Sequence, residues 1–388
     1  MALRLSRKSD CVMQSEIRNM SIECDKVGGI NLSQGVCNLD VPAEVRRGAQ
    51  QAVDEGHNAY TRYDGIDELR AAVARKLERR YGFEADAERE VVVTSGSTGA
   101  FYCAALALLD PGDEVILFEP YYGYHLSTLQ AVGASASYVT LRPPGWGFDR
   151  RALEAARTAR TRGVMICTPA NPLGKVFSRR ELELVAEFAR EHDLFVFTDE
   201  IYEHFVYDGA EHIPPGTLPE LRDRAITISG MSKTFSITGW RIGYLHADAR
   251  WALPIGYFHD LVYVCAPAPL QVGVAAGLDA LGDEYYLGLR DQFSNKRELI
   301  CSTLDEIGFS PHVPRGGYYV LADISSLPGG ESKARAMHLL EKTGVACVPG
   351  EAFYHDPADG RDLARFCFAK SDAELEEACR RLKGLRRS

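Results

Sequence analysis

Apolar residues come in short continuous runs along this chain, at 90–94, 114–118, 164–167, 194–198 and 225–228. Unbroken apolar runs of this length suit strands buried on both faces. Between them, residues 100–109, 150–159 and 179–191 repeat their apolar positions at helical spacing, and 135–141 reads as a weaker strand. Strand and helix in alternation predict an α/β fold with a mostly parallel central sheet. Amphipathic helices are expected over 43–55 and 66–81. Helical runs from about 261 to 295, and on to 307, lead into a smaller α+β part. Its expected elements are strands at 319–322, 345–348 and 363–369 and helices at 331–343 and 373–382. The expected organisation is an N-terminal arm with part of the small domain over 1–42, a large domain over 43–285 and a small C-terminal domain over 286–388.

Chemistry collects where the apolar runs end. Asn171, Asp199 and Lys233 each follow a different predicted strand, and in a parallel sheet such ends meet in one crevice. Asp199 comes after an apolar run and needs a partner for its charge; a helix cap is the simpler reading. Ser95-Gly96-Ser97-Thr98-Gly99 joins a strand to a helix start, the geometry of an anion cradle. Ser97 alone reads equally as an N-cap. Lys233 stands in a turn of small residues, and eight residues later Arg241 is flanked by Gly239, Trp240 and Gly243. An amine beside an anion site suits a Schiff-base lysine with a phosphate clamp; two solvated cations are the plain alternative. Arg365 puts a charge inside an alternating strand, so it needs an anion, either a ligand or nearby Asp362. Asn31-Leu32-Ser33-Gln34-Gly35 reads as a short strand ending in Gly35, which is a ligand approach or an ordinary turn. Tyr122 follows a strand, where an aromatic can cover a flat ring.

The stretches Gly230-Met231-Ser232-Lys233 and Ser236-Ile237-Thr238-Gly239-Trp240-Arg241-Ile242-Gly243 closely resemble the cofactor-attachment signature of class I/II aminotransferases. Supporting motifs run from about Asn31 to Ala369. The resemblance implies the fold type I architecture of pyridoxal 5'-phosphate (PLP) dependent transferases, an internal aldimine on Lys233, and a homodimer with shared active sites. It implies that Asp199 holds the pyridine nitrogen charged and that Asn171 and Tyr202 face the phenolic oxygen. Tyr122 would stack on the ring. Ser97, Thr98, Gly99, Ser232 and Arg241 would anchor the phosphate, joined by Tyr60 from a partner chain. Arg365, Asn171 and Gly35 would receive the substrate carboxylate. The chain departs from the family pattern at Thr168 and Leu173, where Asn and Thr are usual, and keeps Asn171.

Charge and cysteines narrow the partners. A net charge of −10 argues against nucleic acid or an anionic membrane. The basic start, Arg4 to Lys8, is followed by no apolar stretch of signal-peptide type. The ten cysteines contain no C-x-x-C pair, and several lie in apolar runs, which predicts free thiols in a reducing cytoplasm. The histidines form no metal-binding pattern, so no metal is expected.

For the amino acid substrate, a dicarboxylate side chain would want a second cation. Thr98 stands where some aspartate enzymes of the family use Lys, and no Arg or Lys occurs between Leu253 and Gly288. Cys37, Tyr60, Tyr122 and Tyr124 favour a neutral, aromatic or sulfur-containing side chain. A PLP-dependent β-lyase or synthase acting on sulfur amino acids would use the same skeleton. A nicotinamide-dependent oxidoreductase would also alternate strands and helices, but the dinucleotide glycine fingerprint is missing. A regulator built on this body would need further length for a DNA-binding domain, and its acidity is wrong.

Overall fold

Strands that are apolar at every position must be covered on both sides, and the architecture follows from that requirement. The computed structural model describes residues 3–12, 14–37 and 39–387. Met1, Ala2 and Met13 of the expected arm lie outside these, as do Asn38 and Ser388. Helix α1 (Glu16–Lys26) and strand β1 (Ile30–Asn31) come first, then α2 (Ala43–Asp54) and α3 (Asp67–Tyr81). Strand and helix then alternate: β2 (Val91–Ser95), α4 (Gly96–Leu108), β3 (Glu114–Glu119), α5 (Gly123–Val132) and β4 (Ser135–Thr140). Next come α6 (Arg150–Ala156), β5 (Thr161–Cys167), α7 (Arg179–Glu191), β6 (Phe195–Asp199), β7 (Ala225–Gly230) and β8 (Ile242–His246).

These strands form a seven-stranded sheet in the order β2-β8-β7-β6-β5-β3-β4. Within it β8 runs antiparallel to both neighbours, and the remaining pairs are parallel. Successive side chains sort to opposite faces. Val115, Leu117, Met165 and Phe197 pack in one cluster with Ala104 of α4 and Leu129 of α5. Ile116, Phe118, Val164, Ile166 and Val196 pack in another with Leu153 of α6 and Leu182 and Phe188 of α7. The result is an α/β fold with a mostly parallel central sheet.

The expected helical run from about 261 to 295 is instead three helices: α8 (Ala249–Tyr263), α9 (Ala268–Ala280) and α10 (Asp283–Glu306). Val264 turns to a left-handed φ of 64°, and Pro267 has no N–H to carry a helix across the gap. Downstream lie β9 (Ser310–His312), β10 (Tyr319–Asp323), α11 (Ser332–Thr343), β11 (Val345–Ala346), β12 (Val348–Pro349), the short α12 (Pro357–Gly360), β13 (Leu363–Cys367) and α13 (Asp372–Leu382). The single strand expected at 345–348 divides at Cys347. Its first half pairs parallel with β1, and its second half joins an antiparallel sheet of order β12-β13-β10-β9.

Behind the turn that follows β6 lies a buried polar network. The Lys76 Nζ of α3 donates to both Glu203 carboxylate oxygens, at 2.5 and 2.6 Å, and to the Tyr244 hydroxyl at 2.7 Å. Ser229 Oγ donates to the same carboxylate at 2.9 Å. Burial alone would raise the Glu203 carboxyl, but Lys76 and neighbouring imidazoles hold it well below the ordinary carboxylate range. Its stabilising contribution is therefore present above the unfolded-state pKa of about 4.3 and is lost as the pH falls from there toward the folded-state value. Removing one partner leaves a buried charge uncompensated. Lys76→Met is expected to lower stability by about 3–5 kcal/mol at pH 7, read from denaturant unfolding, and Lys76→Met with Glu203→Gln to recover part of that loss. Equal stability of Lys76→Met and wild type would show that the pair contributes nothing.

Candidate active site

Register brings the chemistry together. Asp199 stands opposite Cys167 of β5 on one side and Ile228 of β7 on the other. Asn171, Asp199 and Ser232-Lys233 therefore emerge along one edge of the sheet. Ser97 follows β2 and Tyr122 follows β3 on the same edge. A cleft of about 510 Å³ opens there, walled by Gly35, Ser97, Thr98, Tyr122, Asn171, Asp199, Tyr202, Ser232, Lys233 and Arg241. Three expected residues are absent from those walls. Gly99 lies in the first turn of α4, packed toward Tyr263. Tyr60 is 82% exposed on its loop. Arg365 is fully buried behind the wall.

At one end of the cleft the backbone is shaped around Arg241. Its own φ is 57°, a left-handed conformation uncommon outside glycine. A side chain at Gly96 would come within 2.4 Å of its Nη2, so only glycine lets the guanidinium lie against the start of α4. The same tightness holds beneath, where a side chain at Gly243 would meet the Gly96 carbonyl carbon at 2.5 Å. Helix α4 begins at Gly96 rather than at 100, and Ser97 is inside its first turn rather than at its N-cap. First-turn amides carry no intrahelical bond, so their N–H groups and the guanidinium together form a positive pocket.

At the opposite end sits Asp199. Its carboxylate accepts from His125 Nε2 at 3.0 Å and from the Ile201 N–H at 3.3 Å. No helix begins at Asp199, so the Ile201 N–H bond closes a local turn rather than a helix cap, and the other oxygen is held by a side chain from α5. His125 was not foreseen. Its signal in the sequence is weak: it lies three residues after Tyr122, one helical turn on, and meets that ring edge-on at 5.3 Å.

Between the two ends, Lys233 Nζ donates to the Gly35 carbonyl at 3.0 Å, which also accepts from the Tyr318 hydroxyl at 3.0 Å. Burial lowers the Lys233 amine to about 8, because removal from water disfavours the charged form. Gly35 is needed for closeness, since a side chain there would fall 1.8 Å from the Tyr319 hydroxyl. Its turn is formed locally by Asn31, whose Oδ1 accepts from the Ser33 and Gln34 N–H groups at 2.9 and 3.1 Å.

Arg365 lies mid-strand in β13, opposite Leu321 and Val348. Its Nη1 donates to Asn171 Oδ1 at 2.7 Å and its Nη2 to the Ser33 carbonyl. Nε has no partner, and the guanidinium lies 4.2 Å from the Tyr319 ring centre. Asp362, the local acid that might have neutralised it, pairs with Arg335 at 2.6 Å instead. Among the described residues no carboxylate forms an ion pair with Arg365. The Tyr202 hydroxyl lies 3.1 Å from that of Tyr319, and burial pushes the Tyr202 phenol well above its ordinary value. Tyr122 stacks on Tyr124 with ring centres 5.3 Å apart.

The arm contributes more than the sequence indicated. Ser15, Ile17 and Arg18 of the α1 region also wall the cleft. Among the described residues, Glu154, Glu191 and His192 could share a cation, but they lie on α6 and at the end of α7, both carboxylates pair with Arg150, and His192 pairs with Glu154.

An amine lowered by burial thus stands between a positive pocket and a hydrogen-bonded carboxylate, with an unneutralised arginine behind the wall. Comparison with known proteins gives this arrangement its family. The profile described as Aminotransferase class I and II matches residues 27–382. The solved structure of N-succinyldiaminopimelate aminotransferase from Mycobacterium tuberculosis superposes with a TM-score of 0.94 at 36% identity, covering 98% of this chain and 100% of that one. Methionine aminotransferase of Escherichia coli is 33% identical over 366 residues, 94% of each chain. Kynurenine–oxoglutarate transaminase 1 of Mus musculus is 32% identical over 399 residues, 95% of this chain and 93% of that one. The chain belongs to the class I and II aminotransferases, the PLP-dependent transaminases of fold type I.

Proposed function

We propose that this enzyme transfers the α-amino group of a neutral, aromatic or sulfur-containing L-amino acid to a 2-oxo acid, with PLP held by Lys233. The observation that carries the reading is the Lys233 amine, lowered to about 8 by burial and set between a cationic pocket and a carboxylate. The residues present fit the cofactor. The Arg241 guanidinium, which lies against the start of α4 because Gly96 carries no side chain, would suit a phosphate, with the first-turn amides of α4, Ser97, Thr98, Gly99 and Ser232 as donors. Asp199, steadied by His125, suits a protonated ring nitrogen. Tyr122 covers the ring, and Asn171 and Tyr202 attend its phenolic oxygen. When bound, PLP supplies an electron sink for the substrate's Cα and a carrier for its amino group.

The chain's own residues then divide the work. Arg365 is a fully buried cation without a carboxylate partner among the described residues, and burial of such a charge is costly until an anion joins it. It receives the substrate's α-carboxylate and, through Nη1, orients Asn171. Gly35 lets the Tyr319 hydroxyl lie against its backbone at the edge of the cleft, where any side chain would collide with it. The Lys233 amine would take the proton from the substrate's Cα as general base and give it up again as general acid. Tyr122, Tyr124, Ile17 and Val36 give the cleft apolar and aromatic walls, which support the neutral side-chain class.

A second copy of the chain completes the reading. Tyr60 is 82% exposed, and Tyr257 and Leu261 of α8 are 56% and 78% exposed. A homodimer would cover these side chains and bring Tyr60 to the partner's phosphate site. Among the described residues no cysteine forms a disulfide, which supports a reducing, cytoplasmic location. Among the described residues no helix is long and apolar enough to cross a membrane.

The decisive experiment follows the visible spectrum of the purified protein while amino acids are added singly. A yellow protein that bleaches with one subset, releasing the matching 2-oxo acid, supports transfer and names the side-chain class. Release of pyruvate with ammonia or a thiol would point to lyase chemistry, and a protein that never binds PLP would overturn the proposal. Lys233→Ala is expected to lose about 10³-fold in kcat while still binding PLP non-covalently. In cofactor-free protein, acylation of Lys233, followed by peptide mass spectrometry, is expected to reach half its maximal rate near pH 8. An ordinary lysine would do so near about pH 10.4. The sign follows from burial: the amine loses its proton at lower pH because the cleft disfavours its charge.

A further inference from the structure

Strand β2 lies at the edge of the large sheet and pairs antiparallel with β8. In such a pair alternate N–H groups point away from the partner strand. The Val93 N–H does so, and bonds the Asp64 carbonyl at 2.9 Å. The Ser95 N–H, two residues on, leaves the sheet on the same side, and its acceptor is Nε2 of His259 at 3.0 Å. Ser95 is the N-cap of α4, and its hydroxyl makes no capping bond. The junction where β2 becomes α4 is thus tied by its backbone to an imidazole of α8.

His259 is fully buried, and its two hydrogen-bond partners dictate its chemical state. A backbone N–H can only donate, so Nε2 must offer a lone pair. The Tyr63 carbonyl, 3.0 Å from Nδ1, can only accept, so Nδ1 must carry the proton. The ring is therefore a neutral imidazole in one tautomer. Burial lowers its pKa, which favours that neutral form. The same ring lies 5.3 Å from that of Tyr263, and Tyr263 in turn covers Gly99, where a side chain would come within 3.3 Å of it. His259 thus supports the first turn of α4 at both ends, by a bond at Ser95 and by packing at Gly99.

The two bonds of the ring are not equivalent. The loop that contains Tyr63 is also held by Gln271 of α9, which donates from Nε2 to Thr61 Oγ1 at 3.2 Å and accepts the Ile66 N–H at 2.9 Å. The bond from Val93 to the Asp64 carbonyl holds it again. Loss of the Nδ1 donor would leave that loop seated, whereas loss of Nε2 would take away the acceptor of the Ser95 N–H. We propose that His259 is a positioning residue for the cofactor's phosphate, setting the first-turn amides of α4 through the Ser95 N–H. This rests on the transaminase reading above and adds to it a group that touches neither cofactor nor substrate.

The test measures Kd on cofactor-free protein for PLP and for pyridoxal, which lacks only the phosphate, so that their ratio reports the phosphate site. His259→Asn keeps a donor near the Nδ1 position and removes the Nε2 acceptor. His259→Gln keeps an acceptor near Nε2 and removes the Nδ1 donor. His259→Asn is expected to cut the preference for PLP over pyridoxal by about 10-fold. His259→Gln is expected to cut it by less than about 3-fold, even where thermal melts show both variants destabilised. Equal ratios in the two variants, or a wild-type ratio in His259→Asn, overturn the inference and leave the cofactor reading standing. Magnetic resonance of wild-type protein carrying nitrogen-labelled histidine gives a readout that needs neither variant to fold. Nε2 of His259 is expected at the shift of an unprotonated ring nitrogen and to move when saturating inorganic phosphate is added. A protonated Nε2, or one that phosphate leaves unmoved, overturns the inference as well. Wild-type protein that binds PLP no more tightly than pyridoxal would overturn both the inference and the phosphate assignment on which it rests.

Discussion

The bond between Asp199 and His125 sets the terms for the rest of the site. Asp199 closes a strand buried on both faces, where an unpaired carboxylate would be costly. His125 supplies one partner from α5, the Ile201 N–H supplies another, and the neighbouring backbone is locked by the Thr168 N–H bonding the Asp199 carbonyl at 3.0 Å. With the carboxylate fixed, the parallel register carries Asn171 and Lys233 to the same edge. The spacing between these groups is a property of the backbone ladder, not of flexible side chains. That is how a site can hold opposite charges at its two ends without their collapsing onto one another.

The second sheet reaches the same cleft through a few polar contacts. Arg365 of β13 holds Asn171, Tyr319 of β10 meets Tyr202, and Lys233 reaches the Gly35 carbonyl. Each joins a residue after a strand of the large sheet to a residue in or beside the smaller sheets. The turn at Gly35 depends on Asn31 Oδ1 and on the short parallel pairing of β1 with β11. A change in how β11 and β12 divide the chain at Cys347 would therefore be felt at Gly35 and at Arg365 together.

Strand ends were the legible part of the sequence, because a continuous apolar run followed by small or polar residues carries both the element and its terminus. Lys233, Asp199 and Asn171 were visible for that reason, and the cleft gathers them. Strand β8 and helix α8 were not foreseen. The first follows a glycine-rich turn that masks its start, and the second is mostly apolar with Pro254 inside it, so no clean period marks it. The break near Val264 depends on one residue's left-handed φ, which its own identity does not advertise. His125 and Arg18 were missed because each is a single polar residue on a helix. What makes His125 a partner is its height along α5 relative to β6. The seating of the arm helix has a similar origin, since Glu16 spends its charge on Lys333, more than 300 positions away. Contacts of that span leave no local trace.

The groups around Lys233 and those of the arm helix rest on different parts of this fold. The groups around Lys233 stand at strand ends, where moving one would disturb a ladder buried on both faces. Ser15 and Arg18 stand at the start of an arm helix whose seating depends on Ile17, Met20 and Cys24. Exposed positions on such a helix can change with little effect on the core that holds it. A change confined to an exposed face of the arm helix would therefore leave the ladder that positions Asn171, Asp199 and Lys233 undisturbed.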